Sequence, residues 1–211
     1  MVYATVNPAP HGEYPYPFSY TSFGSEYQHQ FTYTDQLDNT KRLYSAKTTT
    51  DEVICVKFVR RYSRAAHEHC ASKGFAPELK GFQYLPGGWY MVVMEMISQD
   101  YCCLDITLPY PHFKTLSEEI REELADLHQK GLVHGDIRDA NVMVKVDDNT
   151  VGSNFKLVDF DWSGTIGEVK YPASVNRKTV WRPAGAKDGL EILADHDMQM
   201  LDYMIKFQMD L

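Results

Sequence analysis

The sequence predicts an α+β protein in two parts, a small antiparallel sheet followed by a helical region. Three observations carry that prediction. Strand-like runs rich in Val, Tyr, Phe and Thr crowd the first half. Short polar turns join them, which makes consecutive strands an antiparallel meander. The second half holds one long segment, TLSEEIREELADLHQKG, with Leu116, Ile120, Leu124 and Leu127 at helical spacing.

In chain order, residues 1–27 interleave Pro8, Pro10, Pro15 and Pro17 with tyrosine and phenylalanine, a composition that cannot run as helix or central strand. This reads as an extended aromatic arm that lies on the body or meets a protein partner. From Gln28 the strands begin: QFTYTDQ, the turn LDNT, RLYSAKTT, a second turn, and VICVKFV. The stretch SRAAHEHCASK then reads as a short helix, capped by Ser63 and stopped at Gly74. ELKGFQYL and WYMVVMEMI add two strands around Pro86-Gly87-Gly88. Five strands and the short helix thus make a first lobe over residues 28–97, joined near Ile97 to Cys103 to a helical lobe over 98–211. In the second lobe, Thr115 with Glu118 forms a capping box for the long helix, and Gly131 ends it. VMVKV and FKLVDF form a hairpin around DDNTVGSN, and DMQMLDYMIKF is a final helix. A cleft between the lobes is the expected ligand site.

Composition narrows the function classes. The chain has 211 residues, 44% hydrophobic and 24% charged, enough for one large domain or two small lobes. Net charge is −8 and the basic residues are scattered, which argues against nucleic acid or an anionic membrane as partner. No apolar run approaches the roughly 18–20 residues of a membrane span, and the first residues lack the order of a secretory signal. Four cysteines without CxxC spacing argue against a disulfide framework or zinc knuckle. The expected setting is cytoplasmic or nuclear.

The chemistry concentrates in GLVHGDIRDANVMV, residues 131–144. Asp136 and Asn141 lie on a loop leaving a helix and entering a strand, and Asp159 ends the strand that pairs back. One carboxylate to orient a hydroxyl, with an amide and a second carboxylate to hold hard cations, is what a magnesium–nucleotide site requires. Each residue taken singly reads more readily as a turn former, and it is the joint pattern, with a capped helix before it and a strand lysine upstream, that reverses this. The cluster His67, Glu68, His69 and Cys70 suggests a metal, but i and i+2 diverge on a helix, so His67 and His69 cannot readily share an ion.

HGDIRDAN resembles the catalytic loop of the protein-kinase-like superfamily, LVDFD its D-F-G segment, VICVKF its V-A-I-K strand and VMEMI the strand that runs into the hinge. The resemblance covers roughly residues 28–205 in the correct order. It implies a two-lobed kinase-like fold with a shortened helical C-lobe, like minimal atypical kinases of the H-G-D type, using ATP and Mg2+ to phosphorylate a hydroxyl. It further implies Asp136 as catalytic base, Asn141 and Asp159 as magnesium ligands, and Lys57 as partner of the α- and β-phosphates, against a snorkelling edge lysine. Arg138 would contact the transferred phosphate or else pair with nearby aspartates. Met94 would be the gatekeeper, with Glu95, Met96 and Ile97 offering backbone groups to adenine. Glu68, or Glu78 in its place, would pair with Lys57, and Asp197 would brace the catalytic loop or be an ordinary exposed acid.

Departures from the pattern are equally specific. DQLDNTK stands where a glycine-rich phosphate loop is expected. Gly135 replaces the arginine of H-R-D, which makes activation-loop phosphorylation an unsuitable switch, and Asp161 replaces the glycine of D-F-G. KYPASVN or WRPAG must stand for A-P-E. An active kinase of protein serine or threonine, a pseudokinase scaffold and a small-molecule kinase therefore all remain open.

Overall fold

The computed structural model describes residues 16–23, 26–104, 110–145 and 155–209. They form two compact units, residues 1–61 with 77–97, and residues 62–76 with 98–211. No described helix is long and apolar enough to cross a membrane.

The first unit is a six-stranded antiparallel sheet. Its strands are β1 (Ser19–Thr21), β2 (Gln28–Asp38), β3 (Leu43–Thr48), β4 (Val53–Val59), β5 (Leu79–Leu85) and β6 (Trp89–Glu95), in the spatial order β1-β2-β3-β4-β6-β5. Alternation puts Phe31 and Tyr33 of β2, Tyr44 and Ala46 of β3, and Ile54, Val56 and Phe58 of β4 into one apolar core with Trp89, Met91 and Val93 of β6. The arm contributes directly. Tyr20 is buried with β1, the Tyr16 hydroxyl donates to the Tyr44 hydroxyl at 2.6 Å, and the Tyr33 hydroxyl donates to the Pro17 carbonyl at 2.9 Å. The expectation of five strands thus gains a sixth, because residues 19–21 are proline-free and lie at an edge where three ladder pairs suffice; residues 1–15 lie outside the described residues.

The two outer strands of the sheet are also neighbours. A Cβ on Gly81 of β5 would stand 2.7 Å from Cδ2 of Tyr20 and 3.3 Å from the Thr21 carbonyl oxygen. Glycine is therefore what lets the edges close on each other.

The second unit contains α1 (Arg64–Ser72), β7 (Tyr101–Cys103), α2 (Tyr110–Gln129), β8 (Leu132–Val133), β9 (Val142–Lys145), β10 (Phe155–Leu157), β11 (Gly164–Thr165) and α3 (Ala194–Met209). Sequence reasoning placed α1 with the sheet, but it packs with the helices. Ala66 and Cys70 are fully buried in the core formed by Phe113, Leu116, Ile120, Leu124 and Leu127 of α2. The Ser63 N–H donates to the Phe160 carbonyl, and the Leu157 N–H donates to the Phe75 carbonyl. The Ser63 cap is present, its hydroxyl accepting from the Ala66 N–H at 3.2 Å. α2 begins at Tyr110, so Thr115 and Glu118 are interior and form no capping box. Phe113 extends the apolar stripe one turn back, and Pro111 falls in the first turn, where a missing N–H is harmless. β9 pairs with β10 as the hairpin pattern predicts, with the turn outside the described residues, and β7 adds a third strand that short YCC did not announce.

Charged groups line the α1–α2 contact. Lys73 Nζ lies 2.7 Å from Asp126 and 3.7 Å from Glu123, and His69 Nε2 lies 2.5 Å from Asp126. Glu123 is 3% exposed, and burial pushes its carboxyl above the usual range despite Lys73 and His69.

Two measurements test this packing. Gly81→Val should cost about 1–3 kcal/mol in urea unfolding, because the Tyr20 ring must move. Glu123→Gln should raise the thermal midpoint at neutral pH. Since the folded-state pKa of Glu123 is raised, its stabilising contribution is complete only below the unfolded value and is lost as pH rises, so the gap to wild type should narrow from about pH 8 to about pH 5.

Candidate active site

The loop between β8 and β9 is built on a turn and a buried acid. Gly131 ends α2 with φ +74°, and its N–H returns to the His128 carbonyl. β8 then pairs with β11, fixing the point at which the loop departs. Below it, Asp197 in the first turn of α3 is fully buried, not an exposed acid. Its Oδ2 accepts from the His134 N–H at 2.8 Å and lies 3.0 Å from His128 Nε2, while its Oδ1 accepts from the Gly135 N–H at 2.7 Å. Such charge-assisted bonds to main chain fix the loop's path.

Gly135 has a structural reason to be glycine. Its φ is +85°, and a Cβ would stand 2.9 Å from the Trp162 carbonyl oxygen and 3.1 Å from Cδ1 of Ile192. No arginine fits there without moving backbone. His134, fully buried, places Nε2 3.2 Å from the Val158 carbonyl, and its Nδ1 accepts from the Asp136 N–H at 3.3 Å. The Ser163 hydroxyl donates to the His134 carbonyl at 2.8 Å.

Asp136, Arg138 and Asn141 come together as expected of one site. The Asn141 Nδ2 donates to both the carbonyl and Oδ2 of Asp136 at 2.9 Å each, and Arg138 Nε lies 3.2 Å from the same Oδ2. The structure thus realises the ion-pair alternative for Arg138. Asp139 is exposed and caps its own turn, accepting from the Ala140 N–H. Asn141 is fully buried and its Oδ1 has no hydrogen-bond partner. An orphaned amide oxygen beside a carboxylate fits a hard-cation ligand. Asp159 follows Val158, whose N–H donates to the Asn141 carbonyl, and adopts φ +71°, a conformation costly for a non-glycine residue. Phe160 behind it is buried and stacks on His67 of α1 at 4.8 Å and 6°.

Arg182 was not singled out from sequence. It is 6% exposed, its Nη2 lies 2.6 Å from Asp136 Oδ1, and its guanidinium stands 4.7 Å over the Trp162 ring. The pair is an ion contact at short range without hydrogen-bond alignment, since Asp136 Oδ1 has no geometrically acceptable donor. Asp136 therefore sits between two guanidinium groups. Nothing local in WRPAG signals this; only the fold brings it to the loop.

The remaining candidates divide by unit. Lys57 lies on β4, an interior strand, paired with Leu43 and Val92, and is 4% exposed; it is not an edge lysine. Met94 is buried on the neighbouring strand β6, and Met96 and Ile97 follow its end half-buried. The Glu95 N–H donates to the Glu78 carbonyl at 2.8 Å, so that group serves the sheet. Glu68 on α1 pairs with Arg64 at 2.8 Å on a half-exposed face, and Glu78 pairs with Lys80 at 2.9 Å. In the turn after β2, Asp38 Oδ1 accepts from the Thr40 hydroxyl and from the N–H groups of Thr40 and Lys41, which holds its carboxyl below the usual range.

No family model matches the sequence, and no curated protein matches it either. Among solved structures, the chain is similar to the kinase PK-1 of Cydia pomonella granulovirus, with a TM-score of 0.66 at 17% identity, over 83% of this chain and 67% of that one. At that identity the likeness concerns architecture, that of an antiparallel sheet with helices. The chain has a protein-kinase-like fold.

Proposed function

We propose that this chain is an ATP- and magnesium-dependent phosphotransferase that moves the γ-phosphoryl group to a hydroxyl, with serine or threonine of a protein as acceptor. The observation that carries the reading is Asn141. Its amide nitrogen clamps Asp136 while its buried oxygen is left without a partner, so one residue orients the base and offers a ligand atom. A turn-forming asparagine has no need of that arrangement.

Each residue then has a definite task. Asp136 accepts a hydrogen bond from the acceptor hydroxyl and thereby turns a lone pair of the hydroxyl oxygen toward the γ-phosphorus. As the new O–P bond forms and the bond to ADP breaks, the hydroxyl proton passes to Asp136. Asn141 Oδ1 and Asp159 would hold magnesium, which when bound neutralises phosphate charge. Lys57 pairs with the α- and β-phosphates, and Met94 with Glu95, Met96 and Ile97 adjoins adenine. Arg138 turns from Asp136 to the transferred phosphoryl group, an exchange open to a half-exposed guanidinium. Glu68, the expected partner of Lys57, is held by Arg64.

A second reading, a nucleotide-binding scaffold without turnover, is favoured by one observation. The N–H groups of Thr40 and Lys41, in the turn that stands for a phosphate loop, already serve the Asp38 carboxylate. A triphosphate there meets an acid in place of free donors.

Two experiments separate the readings. Asp136→Asn should lower phosphoryl transfer to a generic protein acceptor by about 10²–10⁴-fold while keeping the thermal shift produced by ATP with magnesium. Transfer by wild type that Asp136→Asn leaves unchanged would sink the enzyme reading. Asp159→Asn should abolish the magnesium-dependent part of the ATP thermal shift. Stabilisation by nucleotide with no transfer in wild type would establish the scaffold instead.

A further inference from the structure

The contact between α1 and α2 holds a second set of ligand atoms, none of them from the catalytic loop. His69 of α1 with Glu123 and Asp126 of α2 each present one such atom, all within 4.8 Å of one another. Glu123 and Asp126 are three residues apart and share a helix face. The Glu123 side chain is 2% exposed, and its Oε1 has no hydrogen-bond partner. The buried Cys70 thiol, a weak donor, is the side chain that faces this carboxyl, and a carboxylate oxygen withdrawn from water without a well-aligned donor is costly, so it calls for a ligand.

The protein already puts a cation beside this set. Lys73 Nζ is 2.7 Å from Asp126 but 3.7 Å from Glu123, too far to hydrogen-bond the buried acid. One ammonium against two carboxylates leaves a negative charge unbalanced. The Lys73 side chain is 39% exposed, so it can withdraw into solvent without desolvation or loss of charge.

We propose that His69, Glu123 and Asp126 form a binding site for a divalent transition metal of the zinc type, which pins α1 to α2 and displaces the Lys73 ammonium. One imidazole nitrogen with two carboxylates suits zinc and not magnesium, which takes oxygen ligands. Two carboxylates balance the two positive charges, and water completes the fourth position. His69 Nε2 must bind without its proton; that proton, now shared with Asp126, leaves to solvent as the metal enters. Sequence reasoning rejected a metal held within α1 because His67 and His69 diverge. The ligands come instead from two helices, with His67 turned to Phe160.

The test uses the full chain, stripped with EDTA, with the exposed Cys102 and Cys103 replaced by serine in every sample so that surface thiols do not contribute. Zinc chloride is added and thermal unfolding and retained metal are measured, with magnesium chloride as the comparison. Zinc at micromolar concentration should raise the unfolding midpoint by several degrees where magnesium does not, and the protein should retain one more zinc than His69→Ala does. Glu123→Gln should stay folded, with an apo midpoint at or above the wild-type value, yet lose the zinc response. Lys73→Ala should bind zinc severalfold more tightly. The proposal is overturned if wild type shows no zinc response, or if His69→Ala and Glu123→Gln respond as wild type does.

Discussion

A carboxylate in a protein interior is tolerable only when its oxygens are met by donors, and Asp197 satisfies that condition with main chain. It takes the N–H groups of His134 and Gly135 and lies against the His128 imidazole, so α2, the loop and α3 converge on one side chain. The residues of the loop are referenced to that convergence. His134 sets Asp136 through the Asp136 N–H, Asn141 sets its carboxylate, and Val158 ties Asn141 to the segment carrying Asp159. The loop is thus a chain of main-chain and amide bonds hung from a single buried acid, and its precision does not depend on loop stiffness.

The first unit solves a different problem, that of burying a lysine. Lys57 lies on an interior strand whose neighbours in sequence, Val56 and Phe58, are almost wholly buried. The ladder with β3 and β6 fixes its backbone from both sides, so the sheet sets where the side chain starts. A scaffold of this kind fixes where one lysine is anchored, whereas in the turn after β2 the Thr40 and Lys41 N–H groups are committed to Asp38.

Much of this was legible because it rests on periodicity and on local chemistry. VICVKFV forms β4 over the predicted residues, Ser63 caps α1, and the stripe from Leu116 to Leu127 is the buried face of α2. Asp136 and Asn141 could be grouped from the sequence because six consecutive loop residues hold both. What escaped rests on distance in sequence. Arg182 reaches Asp136 through the fold, β1 and β7 are three-residue strands defined by their partners, and α1 joined the helical unit because Ala66 and Cys70 fit its core. The Thr115–Glu118 pattern misled because a capping box is a local signal, whereas the start of α2 follows from the tertiary burial of Phe113.

The closing of β1 on β5 bears on how this protein meets other chains. A sheet with open outer strands offers rows of unpaired N–H and carbonyl groups, a template for strand addition or for aggregation. Here each outer strand shields the other, and the approach works only because Gly81 leaves room for the Tyr20 ring. The protection is local: β1 pairs with Gln28–Gln30 of β2, so strand addition at that end of the sheet would have to displace residues 19–21, while the later residues of β2 pair with β3 on one side.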